Sequence, residues 1–188
     1  MNRREALSRV AVIMGGAIVG AEFFLSGCKT GASTPGLPFS PETIALLDEI
    51  AETILPATTT PGAKEAKVGA FMAIMVKDCY DAANQKIFID GITKLDEACN
   101  KAHGTDFMSA SADQRTALLT AIDKEAKDYK NAKKPEDPAH YFTLMKQLTL
   151  TGFFTSEVGA TKALRYIAVP GKYEGSVPYK KGDKAWAT

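Results

Sequence analysis

Histidine, cysteine and tryptophan are scarce in this 188-residue sequence, at two, three and one, and the net charge is only +1. Each shortage closes off a class of function. A metal centre needs clustered His, Cys or carboxylate ligands, but His103 and His140 have no ligand-spaced neighbours and read as helix-end or surface residues. Covalent haem needs Cys-x-x-Cys-His, which is absent. So are a Gly-x-Gly-x-x-Gly behind a strand, a phosphate loop and a nucleophile elbow. The many carboxylates are scattered over helix surfaces and suggest no acid–base pair. A balanced charge gives no electrostatic reason to hold nucleic acid. The expectation is a chain with no catalytic, cofactor-binding or metal-binding residues of its own, and no nucleic acid as partner.

A long hydrophobic run is also missing. The uncharged stretch Val10 to Ala21 ends at Glu22, whereas a membrane-spanning helix needs about 20 residues. Arg3 and Arg4 precede it, and "LSGC" (Leu25 to Cys28) follows. That order suits a cleaved export signal over residues 1–27, of the twin-arginine (Tat) type, although "NRREAL" lacks the phenylalanine common after the pair, which leaves the general secretory route as the alternative. The ending looks like a bacterial lipobox, in which Cys28 is acylated and becomes the first mature residue. Two or more acyl chains anchor a protein firmly, so the expected location is the periplasmic side of a bacterial membrane. Twin-arginine export carries folded proteins, most usefully those that acquire a cofactor first. Residues 28–39, rich in Gly and Pro, read as a flexible tether. Without the signal, basic and acidic residues are equal in number.

From residue 40 to 188 the chain reads as one all-α domain: a bundle of about five helices with an irregular tail, 165–188, packed on it. Ser40-Pro41 starts the first helix, with Ile44, Leu47, Ile50 and Ile54 inward and Pro56 ending it. "ATTTPGAKEAK" is a loop. The second helix runs from about Val68 to Asp81, with Phe71, Ile74, Met75 and Cys79 on one side. The third runs from about Asn84 to Lys101, with Phe88, Ile92, Leu95 and Cys99 inward and Gly104 stopping it. Ser111 and Gln114 have capping-box spacing and open a fourth, with Leu118, Leu119 and Ile122 inward. The fifth starts near Pro138 and carries Tyr141, Met145 and Leu148 towards Phe153. The charged stretch Asp123 to Asp137 reads as a solvated helix end and loop.

Cys79 and Cys99 would be about 18 Å apart along a helical hairpin turning near Ala83, beyond the roughly 7 Å reach of a disulfide. Both fall on apolar faces and are expected to be buried free thiols. In the tail, glycines and prolines forbid a helix. Tyr166, Ile167, Val169, Tyr173, Val177, Tyr179 and Trp186 are nevertheless too apolar for a disordered end. In "TSEVGATKALRY" (Thr155 to Tyr166), Thr155 or Ser156 is placed to cap a short helix, Gly159 to allow close packing, and Arg165-Tyr166 to launch the tail.

Two stretches carry a family resemblance. "LTLTGFFTSEVGATKALRYIAVPGKYEGSVPY" (Leu148 to Tyr179) and "LLDEIAETILPATTTPGAKEAKVGAFM" (Leu46 to Met72) resemble the C- and N-terminal signatures of the gluconate 2-dehydrogenase subunit 3 family. The likeness weakens between Asn100 and Pro138. It implies a small cofactor-free accessory subunit of a periplasmic sugar or polyol dehydrogenase complex, such as gluconate 2-dehydrogenase or glucoside 3-dehydrogenase. FAD would sit in a large catalytic partner of the glucose–methanol–choline type, and haem c in a cytochrome c that accepts the electrons. The small subunit would support folding, export and membrane attachment of the flavoprotein. That accounts for a twin-arginine signal on a body without a cofactor motif. Phe153, Phe154, Arg165, Tyr166, Tyr173, Tyr179 and Trp186 are the candidate partner interface. An independent lipid-anchored binding or scaffold protein is the alternative.

Overall fold

The computed structural model describes residues 39–169 and 171–187. The residues expected to form the export signal, with Arg3 and Arg4, the expected acylation site Cys28 and the expected tether lie outside them, except for Phe39. That residue of the tether 28–39 is corrected to a packed one: its ring centroid lies 6.5 Å from that of Phe88, against the core. Five α-helices make up the domain: α1 (Pro41–Ile54), α2 (Val68–Cys79), α3 (Ala82–His103), α4 (Ala112–Ala132) and α5 (Tyr141–Phe154). A π-helical turn, Gly159–Ala163, follows. No strand occurs among the described residues; Arg165 and Trp186 form a single isolated bridge. The all-α bundle expected from the sequence is what is found.

α1 starts where Ser40 Oγ accepts the Thr43 N–H at 3.3 Å. It ends because Pro56 disfavours helical backbone at Leu55. Its apolar side buries Leu47, Ile50 and Ala51, and its acidic edge organises the next segment. The Glu52 carboxylate accepts the Ala57 N–H at 2.9 Å and the Lys64 N–H at 2.8 Å. A Cβ on Gly62 would lie 2.2 Å from that carboxylate, so only glycine lets the loop fold back this closely. "ATTTPGAKEAK" is therefore an ordered return that seats Ala63 in the core.

The approach of α2 to α1 turns on Gly69. A Cβ there would sit 2.5 Å from the Ile44 carbonyl oxygen. Lys67, at the head of α2, offers no side-chain cap; Asp48 of α1 accepts the Gly69 N–H at 2.7 Å in its place. This contact selects the buried side of α2: Val68, Gly69, Met72, Ala73 and Val76. Of the expected stripe, Phe71 and Met75 do pack against the core, while Ile74, 60% exposed, and Cys79, on the surface, are corrected. The helix is apolar almost all round, so its periodicity could not choose a face.

α3 is capped by Asp81, which accepts the Asn84 N–H at 2.8 Å, and is stopped by Gly104 at φ 71°. Gly91 lets α5 cross it, since a Cβ would stand 2.5 Å from Tyr141 Cβ. Burial pushes the Tyr141 phenol up to about 12. The capping box of α4 is complete, with Ser111 and Gln114 bonded reciprocally. Arg115 then ties α4 to the α3–α4 loop and to α1. Its Nε donates to the Phe107 carbonyl at 2.8 Å and its Nη1 to Glu49 Oε2 at 2.7 Å. Phe107 enters the core between these ties, fully buried in the same cluster as Phe88, Phe142, Leu95 and Met145.

Glu49 also pairs with Lys64. That hydrogen bond, more than the charges of Lys64 and Arg115, holds its carboxyl below the usual glutamate range, while burial pushes the other way. A depressed folded pKa contributes stability above the unfolded value and loses it as pH falls through the folded one. Glu49→Gln should therefore cost about 2 kcal/mol near neutral pH and flatten the acid limb of stability against pH, read by urea melts. Neither described cysteine is in a disulfide: Cys99 is buried and Cys79 exposed, against the expectation that both are buried. In a Cys28→Ala chain, a thiol reagent should label one cysteine in the native protein and two after denaturation.

Candidate functional site

The C-terminal end of α5 shows what "TSEVGATKALRY" does. Ser156 Oγ donates to the Phe153 carbonyl at 2.6 Å and accepts the Gly159 N–H at 2.9 Å, reversing the chain. Gly159 then lies so close to α5 that a Cβ would be 1.9 Å from the Phe153 carbonyl oxygen. The π-helical turn closes with the Leu164 N–H on the Gly159 carbonyl at 2.9 Å. Lys162 pins it to the loop before α2 through Glu65 at 2.9 Å. Serine cap, close-packed glycine and launching arginine take the roles expected of them.

Beyond the turn the chain forms an arm closed at its neck. The Arg165 N–H donates to the Ala185 carbonyl at 2.9 Å, and the Ala187 N–H donates to the Arg165 carbonyl at 2.8 Å. The Arg165 guanidinium stands 3.7 Å from the centroid of the Trp186 ring, a cation–π stack. Lys184 Nζ donates to the Lys162 carbonyl. Between the two ends, Gly171 (φ 74°) and Gly182 (φ 98°) adopt turns that other residues resist. Asp183 accepts the Lys180 N–H at 2.9 Å, and Lys172 pairs with Glu174 at 2.7 Å on either side of Tyr173. The Tyr173 ring leans over Gly175, where a Cβ would be 3.2 Å from it.

Most of the arm faces solvent. Tyr173 is 95% exposed, Val169 81% and Tyr179 76%, and Tyr166, Ile167, Val177 and Trp186 are exposed to about half. The expectation of a tail packed on the bundle is corrected in this respect: among its described residues only Ala187 is half-buried. High apolar content called for a covering surface but carried no information on whether this chain supplies it.

The expected interface residues divide accordingly. Phe153 is removed from the set, because it is buried in the core with its ring edge-on to Phe154, centroids 5.2 Å apart. Phe154 is 40% exposed. Arg165 and Trp186 are brought together at the neck, while Tyr166, Tyr173 and Tyr179 stand free on the arm. Exposed Ile74 and Leu150 on the bundle escaped the sequence reading, since each sits in an apolar helix where no polar face marks the outside.

Elsewhere on the bundle, surface charges form ion pairs of their own. A shallow groove of about 200 Å³ between α4 and α5 is lined by Asp123, Lys127, Lys130 and Lys146. Asp123 bonds Lys127 at 2.7 Å and Lys146 at 2.6 Å, which hold its carboxyl below the usual range. His103 lies in the last turn of α3, and His140 caps α5 by accepting the Phe142 N–H at Nδ1, 3.3 Å. Burial lowers the His140 pKa, partly opposed by Glu125. Among the described residues no three His, Cys, Asp or Glu side chains gather around a possible metal position. No helix among them is long and apolar enough to cross a membrane.

A family model described as gluconate 2-dehydrogenase subunit 3 matches residues 41–171, from the start of α1 into the arm. Neither the curated proteins nor the solved structures yield a match. The junction itself can be tested directly. Gly159→Ala places a methyl group against backbone and should cost about 1–3 kcal/mol, read by urea denaturation, with faster tryptic cleavage at Lys180 and Lys181 as the root loosens.

Proposed function

The chain belongs to the gluconate 2-dehydrogenase subunit 3 family, and on that premise we propose that it is the non-catalytic small subunit of an FAD-dependent sugar or polyol dehydrogenase complex. The reading that fits best is a folded helper that binds the flavoprotein, lends it a Tat-type export signal and attaches it to a membrane through Cys28. FAD belongs to the catalytic partner and haem c to a cytochrome c that accepts its electrons. Gluconate and glucosides (oxidised at position 3) are the candidate substrates of the complex.

One observation supports this most strongly. The family match spans the folded bundle, and the same domain extends an arm of exposed aromatic side chains that its own surface leaves uncovered. Exposed apolar clusters of this kind mark interaction sites. The same arm and a lipid anchor also suit an independent scaffold lipoprotein, so the partner has to be identified directly. Native lipoprotein drawn from membranes should bring down a flavoprotein, visible as a flavin absorbance band, and that flavoprotein should be retained in the cytoplasm when this chain is deleted. Cys28→Ala should move the complex from the membrane to the soluble fraction. A flavoprotein exported and active without the chain would reject the proposal.

A further inference from the structure

We infer that the arm is the docking element for the flavoprotein, held in shape by the Arg165–Trp186 neck and seated in an apolar groove with an acidic rim; this rests on the function proposed above. Seven apolar side chains, four of them aromatic, stand at least 45% exposed within the 21 residues from Tyr166 to Trp186. Single exposed apolar residues are ordinary, but a cluster is not. Tyr and Trp are the residues that anchor interfaces, because a rigid ring gains much area for little lost freedom.

The shape of the arm is set before any partner arrives. A free tail of this length would lose its conformational freedom on binding. Here two backbone hydrogen bonds and the stacked guanidinium at the neck already close the loop. Closing about 20 residues restricts the chain by a factor of roughly 90 on the three-halves power law. Arg165 and Trp186 are thus positioning residues, and Tyr173 and Tyr179, the most exposed of the aromatics, are the contacts. Asp183 and the Lys172–Glu174 pair stiffen the stretches that carry them.

Charge indicates what receives the arm. Residues 166–185 hold four lysines (172, 180, 181 and 184) against Glu174 and Asp183. A complementary surface is apolar with acidic groups around it. A second copy of this chain fits poorly, because the groove between α4 and α5 sets Lys127, Lys130 and Lys146 against a single carboxylate, Asp123, which is already paired with two of them. A membrane surface fits less well than a protein. Polybasic membrane segments cluster four to eight cations of one sign, whereas here acidic residues are interleaved, and the described residues of the arm form no helix.

The test uses full-length chain carrying Cys28→Ala, purified with its flavoprotein partner, and measures affinity and association rate at low and high salt. Because the substituted side chains are exposed, the variants should melt like the parent. Tyr173→Ala and Tyr179→Ala should each weaken binding about tenfold or more. Trp186→Ala should weaken it about tenfold, and Trp186→Phe should restore most of the loss by keeping a ring under the guanidinium. Lys180→Glu with Lys181→Glu should slow association, as should salt on the parent chain. If the complex forms and every arm variant binds like the parent, the docking inference fails while the proposed function stands. If no complex forms with the parent chain, the functional reading itself fails and takes this inference with it. If the parent chain binds phosphatidylglycerol vesicles, loses that binding on Tyr173→Ala and keeps its affinity for the flavoprotein, the arm serves the membrane and the inference is overturned.

Discussion

Three carboxylates within five residues of α1 bring the rest of the bundle into place. Asp48 accepts the N–H at the head of α2, Glu49 takes Lys64 and Arg115, and Glu52 takes two N–H groups of the loop between the helices. Each satisfies a donor that would otherwise be unpaired where loop and helix ends approach the core. The loop can then fold back over α1, and α2 can close to the contact that Gly69 permits. Through Arg115 the same edge reaches α4 and positions the loop that inserts Phe107. Without these bonds the apolar faces would still seek one another, but the pattern of α2, apolar almost all round, would not by itself choose a face.

The consequence for function is a division of labour between body and arm. In the body, buried polar side chains have partners among the described residues, and Asp123 in the groove between α4 and α5 is paired with Lys127 and Lys146. Such a body is suited to holding shape. The arm is the opposite, with apolar side chains outward and few bonds beyond its neck. The two are joined by a turn that tolerates almost no change: Gly159 is pressed onto the carbonyl of Phe153, Lys162 reaches Glu65, and Arg165 begins the neck. Orientation of the arm is therefore inherited from α5 and from the loop that α1 organises. Such an arrangement suits the surface-presenting role proposed above for a member of the gluconate 2-dehydrogenase subunit 3 family.

Much of the helical layout was legible because local signals suffice for it. Ser40-Pro41, Ser111 with Gln114, and Gly104 act within one turn of themselves, and their geometry is the expected one. The stripes of α1 and α3 also lie where periodicity put them, with Leu47, Ile50, Phe88, Leu95 and Cys99 buried. Helix α2 shows the limit. With apolar residues on every side, its orientation depends on Gly69 meeting Ile44 and Asp48, residues about twenty positions away. Cys79 changed from buried to exposed for that reason alone. Phe153 and Phe154 illustrate the same limit at the site, since two adjacent identical side chains differ in burial only through the packing of α5.

Sequence alone determined the helices, their caps and stops, the family and the apolar character of the tail, because these depend on residue type and short spacing. Tertiary structure decided which side of α2 is buried, which of the candidate interface residues stay available, and that Arg165 and Trp186 meet across about twenty residues. Those outcomes depend on contacts between distant segments, where a single missing Cβ or one accepted hydrogen bond tips the balance between surfaces of nearly equal hydrophobicity.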